Sequence, residues 1–273
     1  MTTPPRTTTD AGPMLVECDW LTSCHKVCAF YTRRAGGVST GAYASMNCTD
    51  YCGDDISCVE ENRRRLVSAL PYRIDAFVMP RQVHGSVVYD LRAGDCTCPG
   101  SAKVISPYGV DGIVTRLRNV CLGISTADCV PLLLSSDAGV VAAVHAGWRG
   151  TVAKIAACAV RLMTDGYRCE PAGIRAFIGP SISAEAFEVG DEVFQAFDRA
   201  GFDMGEIASR DENRSKWHID LWQANMQLLE SCGIPHDNIG LAGICSRSHS
   251  DEYFSARALG TESGRMLTGI MLI

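Results

Sequence analysis

Two histidines and one cysteine stand where apolar runs of strand length end. His84 closes the run FVMPRQVH, His145 closes VVAAVH, and Cys129 lies between two apolar runs in STADCVP. Imidazole and thiolate groups bind zinc, and a set of three protein ligands leaves a fourth position for water or substrate. These residues therefore form a candidate catalytic metal site. The alternative is that both histidines are satisfied strand-end residues and Cys129 belongs to the core.

Polar residues beside these positions extend the candidate site. The turn after His145, in HAGWRG, precedes a predicted helix, and its glycines and Arg149 suit a phosphate or carboxylate. The glycines are equally explained by a tight strand-to-helix turn. Arg34 opens a second glycine-rich turn, RAGG. Asp128, next to Cys129, is a candidate proton carrier, a partner for a ligating histidine, or the cap of a turn.

The elements that must position these residues are mostly strands. Strands are predicted at Lys26–Thr32, Ala76–His84, Ser86–Leu91, Asp111–Thr115, Val120–Thr126, Val130–Ser135, Val140–His145, Ile174–Ile178, Ile239–Ala242 and Leu267–Leu272. Helices are predicted at Asp54–Leu70, Thr151–Met163, Asp191–Ala200 and Leu221–Cys232. Strand clusters interleaved with helices indicate an α/β or α+β sandwich.

Composition excludes several classes of protein. The chain has 273 residues, with 25 Lys and Arg against 31 Asp and Glu, and the net charge of −6 argues against nucleic-acid binding. No apolar run is long enough to cross a membrane. The Pro- and Thr-rich start lacks the apolar stretch of a secretory signal, which predicts a flexible lead-in over residues 1–25, one catalytic domain over residues 26–273, and a cytoplasmic location.

The 14 cysteines fit a reducing compartment, where they act as core residues, metal ligands or nucleophiles. Cys24, His25 and Cys28 form one local cluster, and Cys96 and Cys98 form another. Neither cluster has a matching second half, which disfavours a zinc-finger-type site at either.

Motifs over most of the chain resemble one protein family. They are RAGGVS (34–39), ENR (61–63), QVHG (82–85), TADCVP (126–131), HAGWRG (145–150), IGPSI (178–182), FEV (187–189) and GRM (264–266). The chain is similar to the laccase-domain family, also called the multicopper polyphenol oxidase or peptidoglycan-editing-factor family. Its members include zinc-dependent purine nucleoside phosphorylases. The resemblance implies that His84, Cys129 and His145 bind Zn²⁺.

The same resemblance implies a fold and an activity. The fold is α+β, a duplicated mixed-sheet sandwich layered α/β/β/α and related to cysteine hydrolases of the toxin-deamidase type. The activity is phosphorolysis of adenosine, inosine, guanosine and methylthioadenosine, with deamination of adenosine at the same site. Purine nucleosides and phosphate are then the binding partners, and the sequence does not identify a protein partner.

Roles follow for individual residues. Cys129, Asp128 and His145 are the predicted catalytic residues, and Arg34, Arg149 and Arg257 are predicted to bind substrate or phosphate. Around Arg257 the sequence YFSARA departs from the family's phenylalanine pair followed by Ser-Tyr-Arg-Arg. The departure leaves the preferred substrate open.

Three other interpretations remain. Cys129 activated by His145 could hydrolyse an amide, including one in a peptidoglycan precursor. Copper-dependent phenol oxidation is disfavoured because six histidines without a His-x-His pair cannot supply a multicopper centre, although Cu²⁺ can occupy such ligands in vitro. A non-catalytic binding module would hold zinc without turnover.

Overall fold

The computed structural model of the protein describes residues 15–23, 26–96, 103–211 and 216–273. The strands are β1 Leu15–Glu17, β2 Val27–Thr32, β3 Ala76–Val78, β4 Val88–Asp90, β5 Lys103–Ile105, β6 Gly112–Thr115, β7 Val120–Thr126, β8 Val130–Ser136, β9 Val140–Ala146, β10 Ile174–Ile178, β11 Glu188–Val189, β12 Ala208–Asp211, β13 Lys216–Ile219, β14 Ile239–Leu241 and β15 Met266–Leu272. The helices are α1 Asp19–Thr22, α2 Ile56–Ala69, α3 Trp148–Val152, α4 Ile155–Arg161, α5 Asp191–Arg199, α6 Met204–Ile207, α7 Leu221–Ser231 and α8 Ala256–Leu259.

Within these described ranges the strands form two six-stranded mixed sheets and a small three-stranded one. The first sheet has the order β1-β2-β15-β7-β3-β5, and the second has the order β14-β10-β8-β9-β6-β4. Each contains parallel as well as antiparallel neighbours. The third sheet, β11-β13-β12, is antiparallel. The protein is therefore of the mixed α+β class.

The two large sheets pack face to face, and helices cover their outer faces. Ile124 and Ile270 from the first sheet share a core with Leu133 and Val141 from the second. On the outer face of the first sheet, Leu66 of α2 packs with strand residues such as Phe77. Helices α4 and α7 cover the outer face of the second sheet. Burying each of these large apolar side chains stabilises the fold by about 1.5–3 kcal/mol.

Strands β7, β8 and β9 are buried along their whole length, as their continuous apolar runs predict. β7 belongs to the first sheet, whereas β8 and β9 belong to the second. Residues 127–129 therefore carry the chain from one sheet to the other. This crossover places Cys129 where the ends of the two sheets meet.

Most helices form where the sequence predicts them. Helix α2 begins after Asp55, whose side chain accepts a hydrogen bond from the Ser57 backbone N–H at 2.8 Å, as an N-cap does. The predicted single helix from Thr151 to Met163 is wrong. Lys154 has a left-handed backbone with φ of 60°, which separates α3 from α4. The apolar stripe continues across this break because both helices pack on the second sheet.

The predicted lead-in over residues 1–25 is wrong for residues 15–23. Leu15–Glu17 pairs with β2, and α1 buries Leu21 completely. The Trp20 indole N–H donates to the Ala176 carbonyl oxygen at 3.1 Å, which ties this segment to the second sheet. Residues 1–14, together with Cys24, His25 and Cys98 of the two cysteine clusters, lie outside the described residues.

The cysteines that the structure describes are free thiols. In the same residues, no helix has the length and apolar character needed to cross a membrane.

Candidate metal centre

Cys129 lies at the end of the crossover from β7 to β8. The preceding residue, Asp128, has a left-handed φ of 89°, and its carbonyl oxygen accepts a hydrogen bond from the Ile182 N–H at 2.9 Å. The turn at Asp128 thus sets the direction in which the chain enters β8 with Cys129 at its start.

His145 is the most buried of the three candidate ligands, with 2% of its surface exposed. It lies in β9 opposite Pro131 of β8, and its backbone N–H donates to the Asp111 carbonyl oxygen at 2.6 Å. Neighbouring chain segments therefore fix this histidine on both sides. The prediction that His145 lies near the end of a strand is confirmed.

His84 is held in a different way. The predicted strand Ala76–His84 is wrong beyond Val78, because β3 ends there. His84 instead occupies a loop with a left-handed φ of 61°. Its backbone N–H donates to Asp111 Oδ1 at 2.8 Å, and the Gly85 N–H donates to Oδ2 at 2.8 Å. The Asp111 carboxylate therefore takes the place of a strand partner for this loop.

Asp111 also contacts His145. Its Oδ1 lies 2.8 Å from His145 Nδ1, and an ionised carboxylate only accepts, so Nδ1 carries a proton and Nε2 is the ring nitrogen left for a ligand. Burial opposes ionisation of Asp111, but the His145 ring and the backbone N–H groups lower the pKa of its carboxyl. A carboxylate in this position orients a ligating histidine and raises its basicity.

The ligand atoms of His84, Cys129 and His145 all lie within 4.8 Å of one another. The two imidazole rings meet edge to face, with centroids 4.8 Å apart. Zinc bonds such atoms at about 2.0–2.3 Å, so the three ligand atoms lie close to the spacing that one shared ion requires. Across the described ranges this is the one group of three or more His, Cys, Asp or Glu side chains that could hold a metal ion.

The Cys129 thiolate suits a metal ligand set, whereas His145 must release a proton when it binds an ion. Burial favours the neutral thiol of Cys129, but the charge of His145 and hydrogen bonds from both histidines lower its pKa to about 6. Burial likewise favours neutral His145, but Cys129 and Asp111 raise its pKa to about 9. The thiolate is therefore available at neutral pH, which is the form that binds metals.

Gly147 leaves room for the three side chains. A Cβ at this position would lie 3.0 Å from Cys129 Sγ, 3.2 Å from His84 Cδ2 and 3.6 Å from His145 Cε1. Its φ of −65° is one that any residue can adopt. Glycine is therefore needed here for space and not for backbone freedom.

The candidate ligands open into a cavity of 530 Å³. This volume is typical of sites for small molecules. The cavity is lined by Tyr51, Gln82, His84, Ser125, Thr126, Ala127, Asp128, Cys129, His145, Ala256, Arg257, Thr261 and Arg265. Both large sheets and the segment around α8 contribute to it.

Residues 28–273 match the family described as multi-copper polyphenol oxidoreductase laccase. The chain belongs to this family. A Bacteroides thetaiotaomicron protein named purine nucleoside phosphorylase is 44% identical over 255 residues, which cover 92% of this chain and 94% of that protein. Adenosine deaminase RL5, from an unknown prokaryotic organism, is 42% identical over 258 residues, covering 94% and 98% respectively. The crystal structure of YlmD from Geobacillus stearothermophilus superposes with a TM-score of 0.85 at 30% identity and covers 97% of this chain and 98% of that one.

The three predicted anion-binding arginines have different positions. Arg257 lines the cavity, and its guanidinium donates to the Glu188 carbonyl oxygen at 3.0 Å. Arg149 is absent from the lining and stacks on the Trp148 ring at 4.3 Å. Arg34 is also absent from the lining.

The guanidinium of Arg34 is already engaged. It donates to the carbonyl oxygens of Ala44, at 3.0 Å, and Ser250, and it lies over the Phe254 ring. Through these contacts Arg34 links the segments around Ala44 and Ser250 to each other. Among the three predicted arginines, the structure therefore brings only Arg257 to the cavity.

Asp128 lines the cavity as well, but both carboxylate oxygens have partners. Oδ1 accepts from the Ser246 hydroxyl at 2.7 Å, and Oδ2 accepts from the Arg257 backbone N–H at 2.7 Å. The carboxylate that contacts the candidate ligand His145 is Asp111, so the alternative in which Asp128 is the partner of a ligating histidine is wrong. The contacts of Asp128 secure the cavity segment that begins at α8.

Sequence reasoning missed several residues of the site. The sequence marks Asp111 only as the first residue of a predicted strand. Its contacts with His84 and His145 join positions far apart in the chain, which no local pattern indicates. Tyr51 lines the cavity without any local pattern that marks it. Gln82, Thr126 and Arg265 do fall in the family motifs QVHG, TADCVP and GRM, which was the available signal.

Proposed function

We propose that this protein is a zinc-dependent purine nucleoside phosphorylase that also deaminates adenosine. The observation that carries the proposal is a set of three convergent ligands, His84, Cys129 and His145, at the wall of a cavity of nucleoside size. The names of the two relatives at 44% and 42% identity support the reaction and the substrate class.

Zinc fits this donor set better than the harder cations, because two imidazoles and one thiolate match its ligand preference. Three protein ligands also leave the open position that distinguishes a catalytic zinc site from a structural one. When bound there, zinc supplies a Lewis acid that polarises an oxygen atom of the reacting group. We propose His84, Cys129 and His145 as its ligands.

The chain's own residues supply positioning and charge. Asp111 holds the proton on His145 Nδ1 and directs Nε2 toward the ion. Arg257 offers a cation at the cavity for phosphate. Its guanidinium donates to the Glu188 carbonyl oxygen and lies over the Phe187 ring, and neither contact neutralises its charge. We propose that Asp128, which fixes the backbone N–H of Arg257, acts by positioning this segment.

The remaining sequence predictions stand as proposals. We propose one catalytic domain over residues 26–273, to which residues 15–23 are now added, and a cytoplasmic location, which the free cysteines support. The two packed six-stranded sheets support a duplicated α/β/β/α sandwich. A relation to toxin-deamidase-type cysteine hydrolases is part of the same proposal. The phosphate roles of Arg34 and Arg149 would require substrate contacts outside the cavity.

The test is phosphate-dependent release of base from inosine and adenosine by protein of measured metal content. The wild type is compared with Cys129→Ala and with Cys121→Ala, which removes a fully buried thiol of β7 outside the cavity. We expect about one zinc per chain, loss of both zinc and phosphorolysis in Cys129→Ala, and retention of both in Cys121→Ala. Wild-type protein that contains zinc but cleaves no nucleoside contradicts the proposal.

A second candidate is amide hydrolysis by a cysteine nucleophile. It is favoured by the contacts that run from Cys129 to His145 to Asp111, and by the lowered pKa of the Cys129 thiol. A peptidoglycan precursor is one substrate of this class. Such an enzyme survives chelation and is blocked by alkylation, whereas a zinc enzyme is inactivated by chelation and recovers when zinc is returned.

Copper-dependent phenol oxidation receives less support. The three-ligand group is the single candidate metal site in the part of the chain that the structure describes, and it falls short of the several copper ions that such an oxidase needs. Cu²⁺ bound in vitro would displace zinc from the same ligands.

A further inference from the structure

One buried hydroxyl group in the cavity has no hydrogen-bond partner among the described residues. Thr126, the last residue of β7, is 1% exposed, and its Oγ1 has no hydrogen-bond partner among the residues that the structure describes. Thr126 also lines the cavity that holds the candidate metal ligands. A buried hydroxyl group without a partner is destabilising, so its place in a cavity wall points to a ligand that completes it.

The neighbouring wall is a chain of three hydrogen-bonded side chains. Gln82 Nε2 donates to the Ser125 carbonyl oxygen at 2.8 Å, and Gln82 Oε1 accepts from the Ser125 backbone N–H at 2.9 Å. These two bonds fix the orientation of the Gln82 amide. The Ser125 hydroxyl then donates to Gln82 Oε1 at 3.0 Å.

The direction of the next bond follows. Because the Ser125 hydrogen is used, the Tyr51 hydroxyl, 2.6 Å from Ser125 Oγ, must donate to it. Tyr51 Oη is left with lone pairs and no hydrogen for a ligand. The wall therefore presents an acceptor at Tyr51 and, at Thr126, a hydroxyl that can donate or accept.

This pattern discriminates between the oxygen groups of the two substrates. A sugar hydroxyl both donates and accepts, so two neighbouring hydroxyls can donate to Tyr51 Oη and pair with Thr126 Oγ1. A phosphate ion offers mainly acceptor oxygens, which the acceptor at Tyr51 disfavours. The phosphate is better served by the Arg257 guanidinium, which also lines the cavity.

We propose that the wall formed by Tyr51, Gln82, Ser125 and Thr126 binds the vicinal 2′- and 3′-hydroxyls of the nucleoside, and that Thr126 contacts one of them directly. The inference rests on the proposed nucleoside function and adds the group that the wall recognises. It makes the enzyme selective for ribonucleosides over 2′- or 3′-deoxynucleosides.

The position of Thr126 suits this role. It precedes Cys129 by three residues at the crossover between sheets, and it pairs across the ladder with Met266, next to Arg265 of the cavity lining. A ribose held at Thr126 thus lies beside the candidate metal ligands, where the reacting atoms of a nucleoside must be.

The test compares Thr126→Val and Tyr51→Phe with the wild type on inosine, 2′-deoxyinosine and 3′-deoxyinosine at saturating phosphate. Valine keeps the shape of Thr126 and removes only the hydroxyl. We expect kcat/KM for inosine to fall about 10–100-fold in Thr126→Val, and to stay within about twofold for the deoxynucleoside that lacks the contacted hydroxyl. Tyr51→Phe should leave kcat/KM unchanged for the other deoxynucleoside, the one that lacks the hydroxyl contacted by Tyr51. Zinc content should not change.

Thr49→Val is the matched control. Thr49 is also 1% exposed, its Oγ1 also lacks a partner among the described residues, and it is not part of the cavity lining. We expect Thr49→Val to leave all three substrates unaffected. Neither valine variant should lower Tm, because each removes an unpaired hydroxyl from the interior.

Several results would overturn the inference. Equal losses for all three sugars in Thr126→Val would show that the hydroxyl of Thr126 does not contact the diol. A raised KM for phosphate with unchanged sugar selectivity would assign the wall to phosphate.

If the wild type cleaves no nucleoside, calorimetric binding of the three nucleosides to zinc-loaded protein separates the two proposals. Weaker binding of inosine alone in Thr126→Val would keep the diol site and remove the reaction. No binding of any nucleoside to the wild type would overturn both.

Discussion

Replacing Asp111 with asparagine tests how the metal ligands are held. Each oxygen of this buried carboxylate accepts two hydrogen bonds. Oδ1 accepts from the His84 N–H and His145 Nδ1, and Oδ2 accepts from the Val83 and Gly85 N–H groups, all at 2.8–3.2 Å. Asparagine keeps the shape but converts one acceptor oxygen into an NH₂ donor. In either orientation of the amide, two of the four donors then face another donor.

The magnitude follows from this count. Removing one partner of a buried, hydrogen-bonded charge pair costs about 3–5 kcal/mol. For a domain of this size, that loss of unfolding free energy lowers Tm by about 6–20 °C. If the NH₂ group faces His145, it also favours the tautomer with a proton on Nε2, which cannot bind the metal. We therefore expect zinc affinity to fall about 10–100-fold.

The assay measures zinc affinity by chelator competition and Tm by calorimetry, on metal-free and zinc-loaded protein. Asp54→Asn is the control. The Asp54 carboxylate likewise accepts several hydrogen bonds, from Ser39, Asn47 and the Asp55 N–H, but it contacts no candidate ligand. We expect Asp54→Asn to lower Tm without changing zinc affinity. A folded Asp111→Asn protein with wild-type zinc affinity would refute the assignment of Asp111 as the residue that orients the ligands.

Three further variants or conditions test the site. Gly147→Ala should lower zinc affinity about tenfold while leaving the fold intact, because the added Cβ presses on Cys129 and His84; unchanged affinity in a chelator titration contradicts this. In metal-free protein His145 lowers the pKa of Cys129 to about 6. The alkylation rate of Cys129 should therefore stay high above pH 6 and fall about tenfold between pH 7 and pH 5. Zinc should protect the thiol from alkylation, and an alkylation rate that rises only above pH 8 would contradict this prediction. Arg257→Gln should raise the KM for phosphate about fivefold, a modest effect because this arginine is exposed, and an unchanged KM would place the phosphate elsewhere.

The sequence was most informative where its local pattern decides the structure. The apolar runs of β7, β8 and β9 and the predicted helices Asp54–Leu70 and Leu221–Cys232 agree with the bounds in the structure within a few residues. Cys129 and His145 could be placed because Cys129 directly precedes β8 and His145 lies near the end of β9. Their positions followed from neighbours in the chain.

Long-range contacts set what could not be predicted. The loop that holds His84 has no ladder of its own, and its shape depends on Asp111, 27 residues away from His84 in the chain. Lys154 interrupts an apolar stripe that reads as one continuous helix. The Arg34 guanidinium donates hydrogen bonds to the carbonyl oxygens of Ala44 and Ser250, the latter 216 residues away. None of these contacts leaves a periodic mark in the sequence.

The three ligands therefore differ in how firmly the fold holds them. His145 lies inside a paired strand and is almost fully buried, and Cys129 directly precedes β8, whereas His84 is exposed on a loop. Asp111 connects the strand that holds His145 with the loop that holds His84, since the same Oδ1 accepts from the His145 ring and from the His84 backbone N–H. We expect metal affinity to depend on how well Asp111 holds the His84 loop, which Gln82 also ties to Ser125. A substitution that leaves both sheets intact can then still empty the site.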